Sequence, residues 1–500
     1  MHDKGYQQFY RYTDMNWFDG FQSYIPNPEL IDIATYDLPA DWKHERKSNW
    51  YMVNSPDHKT TNQGWKIHLS ATPLNGERLL GIVTKICVQQ SISFKFQVDK
   101  HLLLMCSSKG WSREASGKFV TVYPNCEQKF KEVIEQFYEQ LRGFAGPYIL
   151  TDLRYKDSMC IYYRYGGIDG IRQLDITGDA KYYLKAPDGQ LVPDIRTPYY
   201  NTPYWVKDPF GKEENPDDVS EISLKEGRYL INHAVNFSVV GGVYNALDLD
   251  TGNVVIIKEA RPYTGGDENG VDGVQRLRQE YEILNIFNNT GIVPQVIDLF
   301  EDWEHTFLVQ ELIEGVDLGA FCVKENPLLR IYRNKNSNRH YVSKLVSIWN
   351  SLGQALRIFH TAGVVLGDFS IKNVLANTRT NNVKIIDFEA AITNEMSIQS
   401  NRIFTPGFTS PQRIYEGSQC KEDDYYSLGS IMLSMLFPIS GILDLEPGSA
   451  ATFSESYGKE LGVPSEIINF ITLSLSTCPE KRPAPDNLIE MIKIHLDDAI

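Results

Sequence analysis

Between Leu191 and Gly227 the chain sets Pro193, Pro198, Pro203, Pro209 and Pro216 among Tyr199, Tyr200, Tyr204 and Trp205. Proline fixes φ and lacks an amide hydrogen, so this density rules out a long helix or a central strand there. The stretch reads as a connector whose aromatic side chains need a packed neighbour, and it ends in the acidic patch Glu213, Glu214, Asp217 and Asp218. A boundary near residue 215 fits the length, because 500 residues are too many for one hydrophobic core. The reading is residues 1–190 as one domain, 191–226 as connector and 227–500 as a second domain. Apolar and charged shares of 42% and 23% are those of globular chains, which excludes disorder on the scale of a domain.

Before the connector, Trp65–Leu69, Ile92–Val98, Phe119–Tyr123 and Ile161–Tyr165 alternate with period two and read as strands. Phe130, Val133, Ile134, Phe137 and Leu141 recur at helical spacing from about Glu127 to Arg142. The fold class is therefore α+β. After the connector come strands, then helices from about Tyr341.

Several function classes drop out. A net charge of −15 argues against nucleic acid as a partner. The seven cysteines are scattered and form no C-x-x-C pair, as in a reduced, cytoplasmic protein without a structural zinc site. Met1 to Gly20 lacks the basic start and apolar run of a secretory signal. The most apolar stretch, Gly429 to Leu443, is too short for a membrane span and contains Pro438.

In the second domain, Asp368 is followed five residues later by Asn373 and then by Val374 and Leu375. Val383-Lys384-Ile385-Ile386 leads into Asp387-Phe388, and Val254-Val255-Ile256-Ile257 leads into Lys258. Glu280 precedes Ile283 and Leu284. These pieces, in this order, resemble a two-lobed protein kinase. The resemblance assigns Asp368 to the acceptor hydroxyl, Asn373 and Asp387 to Mg2+, Lys258 to the phosphates of ATP or GTP, and Glu280 to the lysine. Gly241 and Gly242 stand for a phosphate-covering loop that lacks the full G-x-G-x-x-G. Ser410-Pro411-Gln412 replaces A-P-E, Asp424 opens a D-x-x-S-L-G run, and Arg482 matches the arginine late in the fold. Leu366 and Gly367 replace the His and Arg of H-R-D, and Glu389 replaces the glycine of D-F-G.

In the first domain, Trp65, Ile67 and Leu69 point to one side of a strand while Lys66, His68 and Ser70 point to the other. Lys95 opposes Phe94 and Phe96, Arg113 lies ten residues before Tyr123, and Arg164 sits in Tyr163-Arg164-Tyr165-Gly166. Charges alternating on a strand are ordinarily a solvated face. In this order, however, they resemble the phosphothreonine lyases, and more closely the lyase domains of class III and IV lanthipeptide synthetases, where lyase precedes kinase. That resemblance implies Lys95 as base and His68 as acid in β-elimination. Lys66, Arg113, Tyr123 and Arg164 would grip the phosphate, with Arg154 weaker and Lys118 weaker still.

Together the halves imply a dehydratase. The kinase phosphorylates Ser or Thr of a ribosomal precursor peptide held by its leader, and the lyase eliminates the phosphate to leave dehydroalanine or dehydrobutyrine. No cyclase segment is visible, so ring formation is expected from a missing or separate domain. A host-directed phosphothreonine lyase and an inactive scaffold are the rival classes. An insertion with Arg330, Arg333, Lys335 and Arg339 reads as a solvated loop that could also meet an acidic leader. Because no arginine precedes Asp368 to bind an activation-loop phosphate, a phosphomimetic within Ser397–Thr409 is expected to leave phosphotransfer within about threefold. Initial rates of peptide phosphorylation measure this.

Overall fold

The structure, a computed structural model, describes residues 24–57, 61–178, 180–211, 222–267, 269–331, 335–393, 403–416, 419–438, 446 and 448–497. The signal-free stretch Met1 to Gly20, the acidic patch near residue 215, Pro216 and Arg333 lie outside the described residues. The chain forms two compact units. One comprises Met1–Asn253, Ile257–Gln275 and Phe300–Phe307, the other Val254–Ile256, Arg276–Leu299 and Leu308–Ile500.

The first unit is built on a seven-stranded sheet of β1 (Lys43–Lys47), β2 (Trp50–Asn54), β3 (Gln63–Leu69), β4 (Ser93–Gln97), β5 (Val120–Tyr123), β6 (Leu153–Arg154) and β7 (Ile161–Gly167). Its order is β1-β2-β4-β5-β3-β7-β6, which makes β3 an interior strand. Helices α1 (Glu29–Thr35), α2 (Gly76–Gln89), α3 (Lys100–Cys106) and α4 (Glu127–Gln140) complete this part. The expected helix ends two residues early, at Gln140, with Leu141 as its cap.

Trp65, Ile67 and Leu69 of β3 join Phe94, Val122, Tyr163 and Phe130 of α4 in one core. Trp65 stacks on Phe130 with centroids 5.6 Å apart. Phe210, from the proline-rich stretch, packs 5.2 Å from Tyr163 and 5.7 Å from Phe130. Asp208 accepts a hydrogen bond from the Tyr163 hydroxyl at 2.9 Å. The stretch is thus seated on the core as its aromatic content requires. Its first residues, Leu191–Pro193, form the edge of a small three-stranded sheet.

A six-stranded sheet carries, in spatial order, Ser223–Leu224, Tyr229–Phe237, Gly242–Asp248, Val254–Ala260, His305–Glu311 and Val296–Asp302. Helix Gly273–Phe287 falls within this sequence of strands, earlier than the reading that placed helices from Tyr341. The second unit is mainly helical around Lys421–Leu436, which is buried along its length. The long helix Lys335–Thr361 begins six residues before Tyr341. Lys335 and Arg339 are therefore helical and not in a loop. The first turns carry no apolar stripe, which is why periodicity did not reveal them.

Removing the Trp65 indole opens a cavity under β3 without touching a charged group. Trp65→Ala should cost about 3–5 kcal/mol and lower the melting temperature in a thermal denaturation.

Candidate functional site

Sheet register explains why one face of the first unit collects polar groups. Lys95 pairs across with Thr121, Thr121 with His68, and His68 with Tyr162, while Lys66 pairs with Arg164. Side chains alternate between faces, so Lys66, His68, Lys95, Thr121, Tyr123 and Arg164 share the face opposite the aromatic core. This face is not solvated. Lys66, His68, Lys118, Thr121, Asp152 and Arg164 are all buried.

The His68 imidazole meets Asp152 through Nδ1, in a short hydrogen bond. Thr151 donates to the other Asp152 oxygen, and the Lys118 ammonium lies 3.8 Å from it. This tie fixes the Nδ1–H tautomer against an ionised Asp152 and leaves Nε2 for other partners. The loop carrying Asp152 reaches β3 because residue 146 is glycine: a β-carbon there would lie 2.6 Å from the Ala71 nitrogen. Lys66 donates to the Gly167 carbonyl at 2.8 Å, and Lys118 to the Glu114 carbonyl at 2.9 Å. Arg164 approaches Asp194 at 3.8 Å. The Lys95 ammonium sits 4.2 Å from the centroid of the Trp50 ring.

These charges perturb one another. Burial lowers Lys95 to about 8, with Arg196 and Lys118 adding to the effect. Lys118 is likewise lowered to about 8, chiefly by burial. Lys66 falls well below its ordinary value through burial and then through Arg164 and Arg196. Burial lowers His68 to about 3, against the opposing pull of Asp152. Burial works to raise Asp152, but His68 and Lys118 outweigh it and hold the carboxyl below the ordinary range. Tyr123 is raised by burial, with Arg196 opposing.

Lys66, His68, Lys95, Tyr123 and Arg164 are thus brought to one polar face. Arg113 is not brought to it by its side chain. Although the 113–118 loop borders the site through Lys118, the Arg113 guanidinium lies 4.5 Å over the Phe237 ring and interacts with Arg261, Tyr244 and Glu259. Arg154 pairs across with Tyr162, the register partner of His68, so it borders the same face, but its guanidinium forms a bidentate pair with Glu304, with its second nitrogen 2.6 Å from Oε2, and stacks near Trp303. The cationic group missed by the sequence reading is Arg196, which interacts with Lys66, Lys95, Lys118 and Tyr123. Asp152 and Asp194 were missed as well, and Lys118 was underrated. Nothing in the local pattern marks these residues, because they reach the face from loops.

In the second unit, the Asn373 amide nitrogen donates to the Asp368 carbonyl at 2.8 Å and to its carboxylate at 3.2 Å. Asp368 Oδ1 is enclosed without a hydrogen-bond partner. Burial raises the Asp368 carboxyl, and Asp387 and Glu389 add to this while Thr405 and Arg413 oppose it. Asp368, Asp387 and Asn373 carry oxygen donors, the ligand type Mg2+ takes, but among the described residues no cluster of three or more metal-ligating His, Cys, Asp or Glu side chains occurs. Asp424 accepts from the Leu366 and Gly367 amides at 2.9 and 3.0 Å and from His360 at 2.8 Å. Gly367 has φ +77°, and a β-carbon there would lie 2.7 Å from the Ala390 carbonyl. An arginine is sterically excluded from that backbone. Gln412 accepts from Arg482, so the Ser-Pro-Gln segment is tied to the late arginine. Gly241 turns between two strands where a β-carbon would collide with the Glu259 carbonyl. Lys258 lies on Val254–Ala260, and Glu280 is buried on Gly273–Phe287.

Residues 238–492 match the protein kinase domain model. The chain belongs to the protein kinase family. Residues 31–221 match the model described as RamC, N-terminal domain, so a RamC-type N-terminal domain precedes the kinase domain. The chain is 32% identical over 431 residues to the probable SapB synthase of Streptomyces coelicolor, covering 86% of this chain and 46% of that protein. It is 28% identical over 227 residues to the serine/threonine-protein kinase PknL of Mycobacterium tuberculosis, covering 45% of this chain and 53% of PknL. This kinase-family chain spans about half the length of the curated relatives it matches. Among the described residues no helix is long and apolar enough to cross a membrane.

If the Lys95 amine removes a proton, it must be neutral to do so, and its share of neutral amine grows as pH rises through about 8. With a synthetic phosphopeptide as substrate, kcat/KM for elimination should climb roughly tenfold between about pH 7 and about pH 9. A flat profile would exclude Lys95 as the base.

Proposed function

We propose that this chain dehydrates Ser and Thr residues of a ribosomally made peptide in two steps, as in lanthipeptide biosynthesis. The observation that carries the reading is the buried cationic face around Lys95 and His68, joined in one chain to a kinase domain that keeps Asp368, Asn373 and Asp387. Among the described residues, the cations Lys66, Lys95, Lys118 and Arg164, with the exposed Arg196 at their edge, meet the buried carboxylates of Asp152 and Asp194. Buried charge of one sign is costly unless a counter-charge arrives. A phosphate dianion supplies it.

In the first step the peptide hydroxyl, oriented by Asp368, attacks the γ-phosphorus of ATP or GTP. The hydroxyl proton passes to the carboxylate and the nucleoside diphosphate leaves. Asn373 and Asp387 would hold Mg2+, which supplies charge neutralisation on the phosphates. Lys258 and Glu280 take the roles the kinase resemblance gives them toward the nucleotide phosphates, with Gly241 and Gly242 in the phosphate-covering loop.

In the second step the phosphoester lies against Lys66, Arg164 and Arg196, with the Tyr123 hydroxyl as a further donor. The Lys95 amine takes the α-proton, the Cβ–O bond breaks, and its electron pair leaves with the phosphate. His68 gives a proton from Nε2 to the departing oxygen. The arriving dianion raises the imidazole from its low resting value, so protonation at Nε2 accompanies binding. Asp152 holds the ring through Nδ1 throughout.

The test is mass spectrometry of a leader-bearing precursor peptide incubated with nucleotide and Mg2+. The unaltered chain should yield peptide lighter by one water per modified residue. Lys95→Ala should accumulate phosphopeptide, and Asp368→Asn should leave the peptide unmodified. No mass change under any condition would identify a scaffold instead.

A further inference from the structure

Two rows of side chains cross the polar face of the N-terminal sheet, and strand register fixes their order. In the first row Lys95 of β4 pairs with Thr121 of β5, Thr121 with His68 of β3, and His68 with Tyr162 of β7. Two residues along the strands, the second row pairs Ser93 with Tyr123 and Lys66 with Arg164. Neighbouring strands lie about 4.8 Å apart, so Lys95 and His68 stand about 10 Å from each other across Thr121, and the rows are about 7 Å apart. Thr121 has the shortest side chain of its row. It forms the floor of a notch whose walls are the longer side chains of Lys95 and His68. The floor is as enclosed as His68 and Arg164, so a group added there has no solvent to turn into. Branching at the Thr121 β-carbon restricts its rotamers and keeps that floor in one shape.

We infer that Thr121 is a specificity-determining residue of the elimination site: its side chain lies beneath the β-carbon of the phosphorylated residue and sets how readily phosphothreonine is accepted against phosphoserine. The inference rests on the reading that Lys95 and His68 carry out elimination. That reaction takes a proton from Cα and breaks the bond from Cβ to oxygen. The base must reach Cα and the acid must reach the ester oxygen, so Cβ lies between the two. On this sheet the position between base and acid belongs to Thr121. The phosphate is drawn to the second row, where Tyr123, Lys66 and Arg164 stand, which leaves the first row to the carbon atoms. Phosphoserine and phosphothreonine differ by one methyl on Cβ. The floor beneath Cβ is therefore where the two are told apart, and in an enclosed site one such group changes kcat/KM by about tenfold or more.

The experiment uses the full chain and two synthetic peptides, identical except for phosphoserine or phosphothreonine at one position, and follows phosphate release. The quantity measured is kcat/KM for the phosphothreonine peptide divided by that for the phosphoserine peptide. Thr121→Ile, which fills the notch, should lower this ratio by about tenfold or more. Thr121→Ser, which removes the methyl from the floor, should raise it by about threefold or more. Thr121→Val keeps the shape and should leave the ratio near that of the unaltered chain. A role confined to strand packing would slow both peptides together, and an unmoved ratio in the Ile and Ser variants overturns the inference. A ratio moved by Val as far as by Ile would assign the effect to the hydroxyl and overturn it too. Should Thr121→Ile fail to fold, the Ser variant decides, and an unmoved ratio there has the same force. Absence of elimination from both peptides by the unaltered chain would strike instead at the proposed function, and the inference would fall with it.

Discussion

Desolvation of cations on one face of the N-terminal sheet governs most of what distinguishes this molecule. Ammonium and guanidinium groups lose hydration when an interior strand is covered on both sides, and no aromatic core can repay that loss. Here β3 is interior and buried on both faces, with Trp65, Ile67 and Leu69 on one side and Lys66 and His68 on the other. The apolar side holds the sheet on α4 through Trp65 and Phe130. The opposite side keeps its lysines below their ordinary values and directs Asp152 onto His68. One strand therefore contributes both to the fold and to the poise of the candidate site. The two tasks are separated by the period of two.

The kinase domain meets a different constraint. Its catalytic loop bends through Gly367 at φ +77° and is held from behind by Asp424, whose carboxylate takes the Leu366 and Gly367 amides. Leu366 fills a buried position in place of a polar side chain. His360, from the preceding helix, hydrogen-bonds the same Asp424. The loop is thus held by backbone and packing. That geometry accounts for the departure from H-R-D: the glycine is required by its conformation, and the arginine has no room.

The two chemistries differ in how they treat the phosphate. In the proposed reading, phosphotransfer calls for oxygen ligands around a cation, the roles given to Asp387 and Asn373, whereas elimination calls for cations around an anion, the roles given to Lys66, Arg164 and Arg196. Opposite electrostatics are hard to build into one pocket. If both steps occur, carrying them on one chain raises the concentration of the shared intermediate at the second site.

Periodicity and spacing were enough to read the strands bearing Lys66, His68, Lys95, Tyr123 and Arg164, the α+β class and the order of the kinase residues. Alternation in a strand and fixed offsets in a loop are local properties, so they appear in the linear chain. What the folded chain decided was the company those residues keep. Arg113 read as a phosphate ligand like Arg164, and Arg154 as a weaker one, yet Phe237 and Glu304 hold their guanidinium groups. Arg196 and Asp194 join the site from a proline-rich stretch with no signal for it, and Asp152 arrives over Gly146. Long-range loop closure brings these groups together, and the loss of water around them sets their charge. Neither has a counterpart in the spacing of neighbouring residues.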